Sequence, residues 1–253
     1  IQGLTEFLPV SSSGHLELGK FLLGDNSIPR ESMIFTLLLH CATALSTVVV
    51  YRKDVTSMAL SLFKFKNDES FHISLKIIVS MIPASCIGYF YSDELERLFD
   101  KQILMVSVML LVSGLLLFVA DKFHNTTKEI SFVHGYLLGL AQSIAILPGI
   151  SRSGATICTA VLLGIDRTKA AGFSFLMVIP LILGKVIKDL LDGAILISNE
   201  KILTLVVGFI TAFLTGIVAC RWMISLVQRA QLKYFAYYCF IIGTFAIFAD
   251  LKS

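Results

Sequence analysis

The sequence has few charged residues. They make up 15% of its 253 residues, whereas soluble domains carry about 25%. Hydrophobic residues make up 56% of the chain, and its mean hydropathy is +0.82. This shortage of charge excludes an ordinary soluble domain, because long soluble helices need a polar face toward water.

Basic runs, paired cysteines and a signal peptide are also missing. The net charge is only +3 and is not concentrated, which excludes nucleic acid as a partner. The five cysteines lie in apolar stretches without paired spacing, so they form neither a disulfide framework nor a zinc site: Cys41, Cys86, Cys158, Cys220 and Cys239. No signal peptide is visible, and the chain starts without methionine in what reads as a helix. About ten apolar residues precede Gln142, which matches Gln2 in the second half of the chain, so we expect roughly ten or more residues to precede Gln2 in the intact protein.

Long apolar runs separated by polar residues predict six membrane-spanning helices. Each run approaches or reaches the roughly 17–25 residues that cross a hydrocarbon core. The predicted spans are residues 33–51, 73–91, 103–120, 171–190, 202–220 and 234–250. The fold class is therefore an all-α polytopic membrane protein, with residues 1–253 as a single membrane domain.

Two further apolar regions, residues 1–23 and 132–165, are each interrupted by proline, serine and glycine. The interruptions lie at residues 9–14 and 148–154, and each remaining arm is too short to cross. Broken helices at membrane depth are tolerated only where they are enclosed by protein or line a cavity. We therefore predict two re-entrant helix hairpins whose tips touch near the middle of the membrane.

The two halves of the chain resemble each other. A shift of 140 places Gln2 on Gln142 and residues 11–14 on residues 151–154. A shift of 128 matches Val79, Ile82, Ala84 and Gly88 with Val207, Ile210, Ala212 and Gly216. A shift of 129 matches Gly114, Ala120 and Asp121 with Gly243, Ala249 and Asp250. We predict an inverted-topology repeat, residues 1–125 and 131–253, each with one re-entrant hairpin and three transmembrane helices. In such proteins the site lies where the broken elements meet.

The predicted loops differ in basic residues between the two sides of the membrane. One side has 11: Arg52, Lys53, Lys64, Lys66, Lys122, Lys128, Arg167, Lys169, Arg221, Arg229 and Lys233. The other side has 7: Lys20, Arg30, Arg97, Lys101, Lys188, Lys201 and Lys252. The richer side is expected to be cytoplasmic, so the site would open to the extracytoplasmic side.

Ionisable and hydroxyl residues are concentrated in the two hairpins. The first hairpin contains Gln2, Glu6, three serines and His15, and the second contains Arg152 between two serines. Ionisable residues within a membrane are functional candidates, because placing them there is costly. Serine caps helix N-termini, and such termini bind anions. Two such helix N-termini together with Arg152 would form a phosphate-binding site. The simpler interpretation is that these serines and glycines only cap helices and allow close packing.

Spacing within the first hairpin indicates roles. Ser12 and His15 are three residues apart and share a helix face, as a nucleophile and its base would. Gln2 and Glu6 are four apart, and their oxygens could hold Mg²⁺ or Ca²⁺. Glu6 could instead be the base that activates Ser12 or a water. These alternatives remain open on the sequence.

Residues 2–15 and 148–156 resemble the two signatures of the bacitracin-resistance family of undecaprenyl-pyrophosphate phosphatases. The resemblance implies removal of one phosphate from the pyrophosphorylated carrier lipid in the bacterial cytoplasmic membrane, recycling it for cell-wall synthesis, with a divalent cation. It implies Glu6, Ser12, His15 and Arg152 as catalytic residues. Implied phosphate neighbours are Ser11, Ser13, Ser151, Ser153, Gly154 and Thr156. Gln2 occupies a position that is Glu or Gln in the family, so it cannot be an obligatory acid or base.

A transporter or flippase of polyprenyl phosphate or another anion is the alternative function, because paired hairpins in inverted repeats are typical of transporters. Binding alone would explain Arg152 and the helix termini, but not a serine and a histidine one turn apart beside a carboxylate. His40, inside the first predicted span, is either a structural histidine or a site residue. The sequence leaves the oligomeric state open, including a homo-oligomer.

Overall fold

The computed structural model describes residues 1–23, 29–91, 103–123, 126–191 and 202–251. Within these ranges the chain is helical, and the one β feature is an isolated bridge between Lys128 and Ile165. The helices are α1 (Gln2–Thr5), α2 (Ser12–Leu23), α3 (Pro29–Val50), α4 (Arg52–Phe63), α5 (Glu69–Phe90), α6 (Ile103–Asp121), α7 (Phe132–Ile144), α8 (Arg152–Leu162), α9 (Arg167–Leu176), α10 (Val178–Leu191), α11 (Ile202–Gln228) and α12 (Leu232–Asp250).

The predicted membrane character is confirmed. In the described ranges, five helical stretches are long and apolar enough to span a membrane: α5, α6, residues 167–188, α11 and α12. The pair α3–α4 passes the same test but bends by 89° at its break. The protein is therefore an all-α, multi-pass membrane protein.

Two features of the helices were not predicted. Helix α4 turns away from α3 directly after the first predicted span, with Arg52 and Lys53 exposed at its start. The predicted span 171–190 consists of α9 and α10, separated at Met177. Pro180 explains this second break, because a proline has no N–H to donate to the carbonyl four residues earlier, that of Leu176.

Both predicted hairpins are confirmed as broken segments. In the first, α1 and α2 are separated by residues 6–11, and Ser11 has a positive φ of 68°. In the second, α7 and α8 are separated by residues 145–151, with Gly149 at a φ of 96°. Neither segment forms one continuous helix.

The most extensive helix interface contains a pair of repeat-related glycines. The most extensive contacts join α6 to α12, α3 to α11 and α5 to α7. In the first pair a Cβ atom on Gly114 would lie 2.8 Å from the Phe240 ring, and one on the repeat-related Gly243 would lie 2.9 Å from Leu111. The same close approach thus occurs twice in one interface. The inverted relation of the two halves and their boundaries remain predictions. Of the basic residues used for the orientation, Arg97, Lys101, Lys201 and Lys252 lie outside the described residues.

Candidate active site

The tips of the two hairpins touch, as predicted. A Cβ atom on Gly14 would lie 3.2 Å from the Cα atom of Gly149, and one on Gly154 would lie 3.3 Å from the Cβ atom of Pro9. The Ser153 hydroxyl also donates to the Leu8 carbonyl at 3.4 Å. The residues of both signatures therefore form one site.

The serine clusters at the two tips have matching geometry. Ser11 Oγ accepts a hydrogen bond from the Gly14 N–H at 3.2 Å, and Ser151 Oγ accepts one from the Gly154 N–H at 3.1 Å. Ser13 and Ser153 lie 3.3 Å, hydroxyl to hydroxyl, from Ser11 and Ser151 respectively. The predicted capping serines thus cap α2 and α8. The N–H groups of a helix's first turn have no acceptor within the helix, so both helices bring anion-binding N-termini to this contact.

Glu6 is the centre of the site and is buried, with 6% of its surface exposed. Its Oε2 atom accepts hydrogen bonds from Ser12 Oγ at 2.7 Å and Gln2 Nε2 at 2.9 Å. Its Oε1 atom forms an ion pair with Nη2 of Arg152 in the other hairpin. On the remaining side, His40 Nε2 lies 3.7 Å from Oε2. One carboxylate thereby joins both hairpins and α3.

Arg152 keeps donor capacity beyond its ion pair. Its Nη1 atom is buried, and no described residue accepts a hydrogen bond from it. A guanidinium fork can hold one carboxylate and still donate to phosphate oxygens from its other nitrogen. The charge and the free N–H groups of Arg152 therefore suit an anionic ligand at the contact between the tips.

His15 has both ring nitrogens engaged. Its Nδ1 atom lies 2.8 Å from the Ser11 carbonyl oxygen, and its Nε2 atom lies 2.8 Å from the hydroxyl of Tyr238. A carbonyl oxygen only accepts, so Nδ1 carries the hydrogen and Nε2 accepts from Tyr238. Ser12 donates to Glu6, and in the described part of the chain Ser12 and His15 do not bond to each other. Of the two proton partners that the sequence left open for Ser12, the geometry favours Glu6.

The remaining implied phosphate neighbours lie in the second hairpin. Ser151, Ser153, Gly154 and Thr156 are all buried. The Thr156 hydroxyl donates to the Arg152 carbonyl at 2.9 Å and lies 2.6 Å from the Ser174 hydroxyl. Thr156 therefore bonds to the first turn of α8 on the side where α9 packs against it.

Three site residues were missed or left open by sequence reasoning. His40 was left open; its Nδ1 atom lies 2.8 Å from the Thr36 carbonyl oxygen, which directs Nε2 toward Glu6. The sequence signal for His40 was a histidine within an apolar span.

Ser113 holds the second tip in place. It accepts a hydrogen bond from the Ser151 N–H at 3.0 Å and donates one to the Gly149 carbonyl at 3.3 Å. Ser113 and Tyr238 carry no sequence signal, because serine and tyrosine are ordinary residues of apolar helices.

The oxygen atoms beside Glu6 fit a hard divalent cation. Gln2 donates through Nε2, and its Oε1 atom is buried with no hydrogen-bond partner among the described residues. Within those residues no group of three or more His, Cys, Asp or Glu side chains could hold a metal. A glutamine oxygen and a carboxylate are ligands of the kind that Mg²⁺ takes together with phosphate oxygens and waters.

Comparison with known proteins identifies the family. The family described as "Bacitracin resistance protein BacA" matches residues 1–245. The chain belongs to this family. An undecaprenyl-diphosphatase of Christiangramia forsetii is 58% identical over 247 residues, covering 98% of this chain and 94% of that protein. Undecaprenyl-diphosphatases of Bacteroides fragilis and Methanococcus vannielii are 46% and 37% identical, each covering 98% of this chain, and 94% and 96% of those proteins.

The family match, residues 1–245, includes both broken hairpins and every site residue named above, Tyr238 on α12 among them. The site described above therefore lies wholly within the part of the chain shared with these relatives. The resemblance that the two signatures indicated is confirmed.

Proposed function

We propose that this protein hydrolyses undecaprenyl pyrophosphate to undecaprenyl phosphate and phosphate, recycling the carrier lipid for cell-wall synthesis and conferring resistance to bacitracin. The observation that carries this is the Glu6 carboxylate, which binds the Ser12 hydroxyl and the Arg152 guanidinium from two hairpins that meet. A hydroxyl beside a carboxylate and a cation is an arrangement for phosphoryl transfer. Relatives 58% and 46% identical to this chain carry the name of this activity.

In the first step, Ser12 Oγ attacks the terminal phosphorus while its proton passes to Glu6 Oε2, 2.7 Å away. The bond between that phosphorus and the bridging oxygen breaks, and undecaprenyl phosphate leaves with the electron pair. Arg152 Nη1 and the N–H groups at the starts of α2 and α8 bind the equatorial oxygens, where negative charge is concentrated.

In the second step, water attacks the phosphoserine. His15 Nε2 exchanges its hydrogen bond from the Tyr238 hydroxyl for one from this water and accepts a proton from it. The departing Ser12 oxygen takes back the proton held by Glu6. Hydrogen phosphate leaves, and the imidazolium returns its proton to solvent. The alternative route has Glu6 activate a water that attacks the lipid directly, without a covalent intermediate. The direct hydrogen bond between Ser12 and Glu6 supports the serine route.

We propose that Gln2 Oε1 and the Glu6 carboxylate hold a divalent cation, Mg²⁺ or Ca²⁺. Bound there, it would neutralise charge on the pyrophosphate. The buried, unpartnered oxygen of Gln2 supports this site, since no described residue satisfies it.

The membrane would be the bacterial cytoplasmic membrane, with the site open to the extracytoplasmic side. The excess of basic residues on the α4 side supports this orientation. An impermeant maleimide should label a cysteine introduced at Lys20 in intact cells, but one introduced at Lys53 only after the membrane is permeabilised. Labelling of both from the same side would contradict it.

The decisive experiment measures phosphate release from undecaprenyl pyrophosphate by the purified protein, with and without a chelator. We expect release that the chelator abolishes and Mg²⁺ or Ca²⁺ restores. A flippase would instead move labelled lipid between leaflets of vesicles without releasing phosphate, and this outcome would replace the phosphatase with the transporter.

The oligomeric state can be measured on the same sample, because light scattering distinguishes a monomer from a homo-oligomer.

A further inference from the structure

Helix α4 lies across the direction of the helix that precedes it. Tyr51 alone separates α3 from α4, and the two helices meet at 89°. Helix α3 corresponds to the first predicted span and ends at Val50, so Arg52 starts α4 at the depth where the hydrocarbon core ends. The bend then carries α4 along the membrane surface. Its 12 residues extend about 18 Å at the usual rise of an α-helix, and both ends lie at a similar depth.

One face of α4 packs on the protein, and the opposite face does not. Val55 and Met58 pack against a buried apolar cluster that includes Phe173 of α9. The outward face forms a shallow depression lined by Arg52, Lys53, Thr56, Ser57 and Leu60. It therefore combines basic, hydroxyl and apolar groups on one side of a helix, which is the composition of a helix that lies at a membrane surface.

The basic residues of this outward face have no acidic partner. Within the described ranges, no ion pair or hydrogen bond involves the side chains of Arg52, Lys53 or Lys64. Other basic residues predicted on the same side bond within the chain: Lys66 to Asp68, Lys169 to Glu129, and Lys128 and Arg167 to carbonyl oxygens. Residues 52–66 contain four basic residues and one acidic residue, Asp54. The surface is therefore basic without being neutralised by the protein, and it matches an anionic partner.

The end of α4 adds two exposed phenylalanines to this surface. Phe63 and Phe65, on either side of Lys64, are 84% and 83% exposed. Phe65 has a φ of 47° and lies in a Schellman turn, in which the Lys66 N–H donates to the Ser61 carbonyl. Glycine is the usual residue at this position, because it takes a positive φ without strain. A strained phenylalanine whose side chain the protein leaves uncovered is explained by an apolar contact outside the chain, and the acyl region of the bilayer lies next to it.

We propose that α4 and the turn after it form a binding surface for anionic phospholipids. Arg52, Lys53 and Lys64 bind headgroup phosphates, and the two phenylalanines enter the acyl region. Each basic residue close to a membrane surface favours anionic lipid by about fivefold. A zwitterionic lipid offers the same apolar contact without net charge, so the surface selects lipids by charge. This inference does not depend on the proposed function or on which side of the membrane α4 faces.

A tryptophan reporter at position 63 tests which lipids lie next to this surface. The single native tryptophan is removed by Trp222→Phe, and Phe63→Trp is added. The protein is placed in vesicles of equal parts phosphatidylglycerol and phosphatidylcholine, with brominated acyl chains, which quench tryptophan on contact, on one lipid or the other. We expect stronger quenching by phosphatidylglycerol, equivalent to at least about fivefold local enrichment. Added salt should reduce it, because salt screens exposed charges.

Matched variants separate this surface from the rest of the protein. Phe245→Trp in the same background places the reporter at a position of α12 that is 61% exposed, and both lipids should quench it equally. Combining Arg52→Gln, Lys53→Gln and Lys64→Gln should equalise the quenching at position 63. Lys169→Gln removes a charge away from α4 and should keep the preference. The thermal midpoint in neutral detergent should be the same for the triple variant and the parent, because the three side chains bond to no described residue.

Three outcomes would overturn the inference. Equal quenching at position 63 by the two lipids would show that the surface does not select anionic lipid. Absence of quenching by either lipid would place α4 in water and leave its outward face to a soluble partner. A preference that survives the triple substitution would assign the selection to other residues. Phosphate release is not part of the measurement, so a failure of the proposed function leaves this test intact.

Discussion

Ser12 donates its hydroxyl hydrogen to the Glu6 carboxylate across 2.7 Å, although a proline break separates the two residues. The same carboxylate pairs with Arg152 of the other hairpin. One buried carboxylate thus contacts both the proposed nucleophile and the arginine that we propose binds phosphate. Each hairpin supplies only part of the proposed site, so the site is complete only where the two tips touch.

Substitution Ser12→Ala should abolish turnover without abolishing binding. Arg152 and the helix termini remain, whereas the nucleophile is lost, so kcat should fall by at least about 10³-fold. Phosphate release and lipid affinity are to be measured side by side. Ser57→Ala is the control, because Ser57 is exposed on α4 and bonds to Ser70. Ordinary turnover in Ser12→Ala would assign the attack to a water.

Substitution Glu6→Gln separates the two roles open to Glu6. If the carboxylate mainly holds the cation, raising Mg²⁺ or Ca²⁺ should partly restore phosphate release; if it is the base for Ser12, no cation concentration will. The hydrogen bond from Ser12 leads us to expect no restoration. Glu17→Gln is the control, because Glu17 pairs with Lys20 on α2. Full recovery at high Mg²⁺ would remove the base role.

Substitution Arg152→Lys should lower kcat/KM by about 10²-fold, comparable to the loss of one preorganised donor to developing charge. A lysine ammonium can satisfy Glu6 but cannot also supply the second nitrogen that we assign to phosphate. Arg221→Lys, at an exposed position on α11, is the control. Near-parent kcat/KM in Arg152→Lys would show that the arginine serves only the ion pair.

Substitution Gly149→Ala should destabilise the second tip. Gly149 has a φ of 96°, and a Cβ atom there would lie 2.4 Å from the Val106 carbonyl oxygen. A non-glycine residue in this region costs about 1–2 kcal/mol before any clash, so the thermal midpoint and phosphate release should both fall. At Gly88 a Cβ atom meets nothing within 4 Å, so Gly88→Ala should leave both unchanged. Equal midpoints for the two variants would refute this argument.

Much of the fold follows from the sequence alone. Hydrophobic length predicted the spans, because a membrane requires about 20 apolar residues for each crossing. Proline and glycine predicted the two breaks, since neither residue continues a helix without a loss. Helix α4 and the break at Met177 were not predicted. Helix α4 begins with the charged residues Arg52, Lys53 and Asp54, so the sequence marked the end of the span but not the helix that follows it. At Met177 apolar residues continue past the break, so hydrophobicity could not locate it.

The sequence also predicted most residues of the site, but not which of them bond to one another. Residue spacing showed that Ser12 and His15 share a helix face, and the local bond of His15 to Ser11 agrees with that helix. The tertiary structure decided that Ser12 bonds to Glu6 and that Tyr238, 223 residues from His15, holds its imidazole. The physical reason is that helical periodicity fixes directions within one helix, whereas hydrogen-bond partners depend on how separate helices pack. The turn at Ser11 and the contact between the tips set that packing. The two breaks predicted the contact, but not which side chains bond across it.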